Sequence, residues 1–148
     1  MRDRFWLFLA VAAGIAMLPA PCQAKESPLG QWLTADHDGV IAIAPCGENL
    51  CGTIVGMQER ADAAGAVPHD QSGQPQCGLV ILRDGRESQA GLWQARITNP
   101  DTGSIWKCEF WLEADGLHLR GYVMTPLLGQ TQTWTRYTGR IGADCLMN

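Results

Sequence analysis

The sequence predicts an all-β protein: a single antiparallel, up-and-down β-barrel of about eight strands. Three observations carry the prediction. Runs rich in Val, Ile, Thr and aromatic residues recur roughly every ten residues between clusters of Gly, Pro, Asn and Asp, a spacing of hairpin-linked strands rather than of βαβ units. Within those runs apolar and polar residues alternate with period two, which a helical stripe would not do. The stretch from Gly116 to Tyr137 reads as two antiparallel strands joined at Leu128-Gly129, and Gly30-Gln31-Trp32 near the start supplies the strand that closes a sheet onto its last one.

Taken in order, the first strand is Gly30–Thr34, closed by the turn Ala35-Asp36-His37-Asp38-Gly39. Val40–Ala44 follows, and a turn between Cys46 and Cys51 leads into Leu50–Met57. Gln58 to Gln76 breaks the rhythm: it is rich in Ala, Gln, Asp, Gly and Pro, has no strand pattern, and reads as a long loop, either a solvated excursion or a lid over the barrel mouth. Leu79–Leu82 is a short apolar strand, ended by Arg83-Asp84-Gly85. Leu92–Thr98 places Trp93, Ala95 and Ile97 on one face and Gln94, Arg96 and Thr98 on the other. After the turn Asn99-Pro100-Asp101-Thr102-Gly103 comes Ile105–Glu113, with Trp106, Cys108, Phe110 and Leu112 opposite Lys107, Glu109 and Glu113. Leu117–Thr125 sets Leu117, Leu119, Gly121 and Val123 against His118, Arg120, Tyr122 and Met124, and Gln130–Tyr137 completes the set. The tail Gly139–Asn148 carries no pattern beyond Cys145.

At 148 residues the chain is long enough for one domain, and 17 glycines with 8 prolines favour turns over long helices. A net charge of −4 with scattered Lys and Arg offers no basic stripe, which argues against a nucleic-acid partner. Met1–Arg4 is charged, Phe5–Ala20 is almost wholly apolar, and Cys22-Gln23-Ala24 is a small-residue site, so residues 1–24 read as a cleaved secretory signal peptide and 25–148 as the single barrel domain. The apolar run is short for a membrane span and closes at Pro19 and Pro21. Pro21 also fits a lipobox poorly, so Cys22 is not expected to be lipidated. No later stretch is apolar enough to span a bilayer, and the expected location is periplasmic or secreted.

Beyond the signal lie Cys46, Cys51, Cys77, Cys108 and Cys145. Outside the cytoplasm disulfides persist, and an odd number leaves at least one thiol free or pairing between molecules. Cys46 and Cys51 flank the turn-rich Gly47-Glu48-Asn49-Leu50, so a hairpin there would bring them into disulfide range; closing so short a loop contributes about 2 kcal/mol. A metal site is disfavoured because no C-x2-C pair occurs. The pairing of Cys77, Cys108 and Cys145 stays open.

No catalytic motif is present: no G-x-S-x-G, no H-E-x-x-H, no phosphate-binding glycine loop. His37, His69 and His118 are scattered and read as surface residues. His69-Asp70 with Cys77 is the one arguable nucleophile cluster, but an exported cysteine is expected to be oxidised, so the chain is read as a non-enzyme without a cofactor. His69 and Asp70 are placed in the loop near the barrel mouth. Aromatics on inward faces either fill the core or line a cavity; Trp93, Trp106, Phe110 and Leu119 are the candidate lining. Trp111, among charged neighbours, is expected to face outward. Closing the barrel brings Arg136 to Trp32, where its guanidinium would stack on the indole and cap the floor, an architectural contact of about 0.5–2 kcal/mol.

Together, Gly30-Gln31-Trp32-Leu33-Thr34, Cys46-Gly47 with Leu50-Cys51-Gly52-Thr53-Ile54, Cys77-Gly78-Leu79, Trp93, Asn99-Pro100-Asp101-Thr102-Gly103 and Leu119-Arg120-Gly121-Tyr122 through Leu128–Arg136 resemble the bacterial exported family called domain of unknown function 2147. The resemblance runs from about Leu29 to Tyr137 and implies a lipocalin-like barrel, with no activity, ligand or catalytic residue attached. The chain departs from that pattern at Ala95-Arg96, at Thr98-Asn99 and across Gln71–Gln76. The expected function is to bind a small, apolar ligand; the alternative is a structural or protein-interaction module of the cell envelope with an exposed apolar patch around Trp111 or Tyr122. The ligand and the oligomeric state are not legible in the residues.

Overall fold

Eight strands close on themselves in the computed structural model, which describes residues 26–58 and 68–148. They are β1 (Gly30–Leu33), β2 (Gly39–Cys46), β3 (Asn49–Met57), β4 (Val80–Gln89), β5 (Leu92–Thr98), β6 (Ile105–Glu113), β7 (Gly116–Tyr122) and β8 (Gln130–Arg136). Every neighbouring pair is antiparallel and sequential, and β1 joins β8 through Trp32↔Arg136 and Leu33↔Thr135. The fold is the closed up-and-down barrel that the alternation predicts. The expected signal peptide and most of the first half of the long loop, residues 59–67, lie outside the described residues.

Strand direction alternates, so the barrel has two ends. Residues 26–29 and the β2–β3, β4–β5 and β6–β7 turns gather at the floor. The β1–β2, β3–β4, β5–β6 and β7–β8 connections gather at the mouth. The inward face of each strand supplies the core, including Trp32, Ile43, Leu82, Cys108, Phe110, Leu117 and Trp134, and no buried residue is polar or charged among those described. Burying side chains of this size on one face stabilises each strand by roughly 1.5–3 kcal/mol per residue.

Two element boundaries differ from expectation by more than a residue or two. β4 does not end at Leu82: it runs to Gln89, and Arg83-Asp84-Gly85 is a bulge within it rather than a turn. Asp84 takes a positive φ of 59° there, the register with β5 shifts between Arg83 and Arg86, and the Asp84 carboxylate accepts from the Arg96 guanidinium across the ladder. β7 ends at Tyr122, and a 3-10 turn at Pro126–Leu128 carries the chain over to β8. Tyr122 is buried, contrary to its expected outward exposure.

The two chain ends are fixed differently. At the floor, the Arg136 guanidinium lies 3.9 Å over the Trp32 ring and donates to the Leu29 carbonyl (2.5 Å) and the Ser27 carbonyl (2.7 Å), while Trp32 Nε1 donates to the Pro28 carbonyl at 2.8 Å. Gly30 has φ 121°, and a Cβ there would meet Arg136 Nη1 at 2.6 Å, so both backbone conformation and close approach require glycine. At the mouth end, the unpatterned tail proves structural. Met57 N–H donates to Cys145 O (2.7 Å) and Met147 N–H donates to Met57 O (2.9 Å), forming a parallel bridge beside β3 where its β4 partner has run out. A disulfide from Cys77 to Cys145 pins this tail. The expected Cys46–Cys51 disulfide also forms, across a two-residue hairpin in which Gly47 supplies φ 67°. Among the described residues Cys108 is the free thiol, and it is buried.

Candidate functional site

The interior is not filled to the mouth. A cavity of about 380 Å³ opens there. Its wall is built from inward positions of β2, β3, β4, β5 and β7, namely Ile41, Ile54, Ile81, Ile97 and Leu119, and four of these five are buried. Isoleucine suits such a wall because its β-branched side chain packs on a pleated surface with little rotamer freedom to lose. Above the wall the lining turns polar: Thr34 and Asp38 from the β1–β2 turn, Gln76 from the β3–β4 loop, Asn99 and Asp101 from the β5–β6 turn, and Gln130 and Gln132 from β8. Trp106 stands at the mouth, 42% exposed.

The mouth loops are tied to one another. Gln76 Nε2 donates to Asp101 Oδ1 (2.8 Å) and to the His69 carbonyl (3.2 Å), and Gln71 N–H donates to the Pro100 carbonyl at 3.0 Å. Asp70 Oδ1 accepts from the Gln74 N–H, the Ser72 N–H and the Ser72 hydroxyl. The Gln74 backbone bond first, then the Ser72 hydroxyl, hold the Asp70 carboxyl below its ordinary value of 3.8. Asp38 Oδ1 accepts from the Thr34 hydroxyl at 2.6 Å, and the Asp38 carbonyl accepts from Gln58 N–H.

Of the residues that the sequence nominates for a cavity, Trp106 and Leu119 line it. Trp93 and Phe110 share the same strand faces but sit nearer the floor, stacked with centroids 5.7 Å apart and planes 12° apart. Trp93 borders a second, more open depression of about 710 Å³ at the floor, whose lining mixes Glu48, Asn49, Arg86 and Glu87 with Leu29 and Leu50 and has no isoleucine wall. His69 and Asp70 belong to the mouth loop without lining the cavity; their loop reaches it through Gln76. Cys77, the sulfur of the arguable nucleophile cluster, is committed to its disulfide.

The polar lining went unread in the sequence. One signal was there: Gln130 and Gln132 share the face of Trp134, so the alternation that marks β8 puts two amides inward, where a filled core would want apolar groups. A second cluster was also missed. Glu113, Asp115 and His118 at the β6–β7 turn bring one ligand atom each within 4.8 Å. His118 Nε2 is 2.8 Å from Asp115 Oδ1, Trp111 stacks on the imidazole at 5.5 Å, and the His118 hydrogen bond holds the Asp115 carboxyl below 3.8. The imidazole is already satisfied by that pair, at the end of the barrel away from the cavity, so the cluster reads as a turn brace. Trp111 is therefore only partly exposed, and the exposed large apolar residues of the described chain lie elsewhere: Ile105, Trp106, Val123, Met124, Leu127 and Leu128 at the mouth, and Leu29 at the floor.

Among the described residues no helix is long and apolar enough to cross a membrane. A model of the bacterial family described as "Uncharacterized protein conserved in bacteria (DUF2147)" matches residues 30–136. No curated protein and no solved structure matches the chain.

Proposed function

Given that the chain belongs to this DUF2147 family of bacterial proteins, we propose that it is an exported barrel that holds a small, largely apolar ligand in the cavity at its mouth. The observation that carries the reading is the isoleucine-walled cavity of about 380 Å³, within the usual 300–1,000 Å³ range of ligand pockets and bordered by a few convergent polar groups. A filled core would have removed this space; in a barrel of this size, interior room for one small ligand is a known use of the fold. Export is supported by the two disulfides, which persist in oxidising compartments, and by the signal-like residues 1–24. The reading is of a binder rather than an enzyme, supported by the loss of the Cys77 thiol to a disulfide.

A second reading, an interaction module of the cell envelope, is favoured by one observation. Val123, Met124, Leu127 and Leu128 project from the β7–β8 connection, Leu127 at 90% exposure, beside Ile105 and Trp106. Native mass spectrometry of protein exported to a periplasm separates the two. The ligand reading expects an added mass that disappears on denaturation and is missing from an Ile54→Trp variant, which fills the cavity. A clean apo mass for the wild-type chain would overturn it in favour of the envelope module.

A further inference from the structure

The charge of the cavity mouth defines a ligand class. Its described lining contains two carboxylates, Asp38 and Asp101, and no Lys, Arg or His. The turns that carry them, β1–β2 and β5–β6, are four strands apart in a closed ring of eight, so the two turns stand on opposite sides of the opening. Each is held by a neutral donor, Thr34 for Asp38 and Gln76 for Asp101, and neither meets a cation among the described residues. Among the described residues, the cations nearest in the chain are engaged elsewhere or stand outside the lining. Arg96 pairs with Asp84, His37 in the β1–β2 turn and Lys107 on β6 do not line the cavity, and Arg120, further along, donates to the Pro126 carbonyl and to the Thr131 hydroxyl (2.7 Å). Trp106 presents its half-exposed indole at the same opening, and an indole face attracts a cation within about 6 Å.

Resting on the reading of the cavity as a ligand site, we propose that it takes a cationic amphiphile: an apolar body against Ile41, Ile54, Ile81 and Leu119, with an ammonium or amine head between Asp38, Asp101 and Trp106. An anionic head, as on a fatty acid, would meet two carboxylates and no counter-charge among the described lining residues. Neutral amide and hydroxyl groups of Gln130, Gln132, Asn99 and Thr34 would complete the solvation of a cationic head without competing for it.

The test compares decyltrimethylammonium, decyl sulfate and decyl maltoside, three heads on one tail, by titration calorimetry below their critical micelle concentrations, with circular dichroism confirming the native barrel. The cationic probe is expected to bind about tenfold tighter than the anionic one, a preference that shrinks as salt is added. The double variant Asp38→Asn, Asp101→Asn is expected to bring the cationic and anionic affinities within about twofold of each other while leaving the maltoside unchanged. Equal binding of all three probes by the wild-type chain, or a preference untouched by the double variant, overturns the cationic head and leaves the cavity as a ligand site. Binding of none, with Ile54→Trp indistinguishable from wild type, overturns both.

Discussion

Arg136 sits where three constraints meet: a ring to cover, two carbonyls to satisfy and a glycine that leaves it room. Its guanidinium is planar, so it can lie on Trp32 and still send separate donors to Leu29 and Ser27. Arg136→Ala is expected to lower the unfolding free energy by about 2 kcal/mol in urea titrations, the sum of a partly exposed cation–π contact and charge-assisted hydrogen bonds. Arg136→Lys should recover less than half of that loss, because an ammonium cannot both lie flat and reach two carbonyls; full recovery would show that charge alone matters. The stacking of these two residues is legible in the sequence, since closing the sheet must bring them together. The carbonyl acceptors are not, because residues 26–29 have no periodicity from which to read a position. Alternation likewise tells which face a residue occupies but not its height in the barrel: Trp93, Phe110 and Trp106 share an inward face, yet only Trp106 reaches the cavity.

Among the elements, β4 with its bulge and the unpatterned tail show what local chemistry conceals. Asp84-Gly85 carries the residues of a tight turn, and a sequence window cannot distinguish a turn from a bulge that uses the same positive φ. What decides it is the partner strand: Arg96 and Gln94 on β5 continue the ladder past the bulge. The tail, with Ile141, Leu146 and Met147 spaced irregularly, makes only single bridges, Met57↔Leu146 in parallel and Ile141↔Met147 antiparallel within itself, too brief for a period to register. Its hold on the barrel comes from the Cys77–Cys145 bond across 68 residues, worth on the order of 4 kcal/mol by loop-closure entropy. Gly56 fits the same arrangement, since a Cβ there would press on Ile141 and Met147 at 3.1–3.2 Å. A Cys77→Ser, Cys145→Ser double variant should keep its far-ultraviolet strand spectrum. It should lose hydrogen-exchange protection first at Met57, whose N–H is bonded to the tail. Uniform loss of protection around the barrel would instead make the tail a global determinant.

For the whole molecule, a closed ring has no edge at which to open piecemeal, and Cys108 reports on this directly. It lies inside β6 between Ala95 and Gly121 of the flanking strands, fully buried, and burial pushes its thiol up to about 12. Thiol reagents therefore face both a barrier of access and a protonated sulfur. Maleimide labelling of Cys108 in the native, non-reduced protein is expected to run at least about a thousandfold slower than in the unfolded chain, and to accelerate with urea at the slope of global unfolding. Labelling that ignores urea would reveal a local gap in the barrel wall.

The position of the seam and the tail clasp has a consequence for the order of synthesis. The seam joins Trp32 to Arg136, and the clasp joins Cys77 to Cys145. Both wait until β8 and Cys145 have arrived, after the other seven strands. A chain emerging amino-end first, whether from a ribosome or through a narrow membrane pore, can form the Cys46–Cys51 hairpin early but has nothing on which to shut the ring. Its threadable state in transit needs no separate restraint, because the residues that lock the structure emerge after the strands they close.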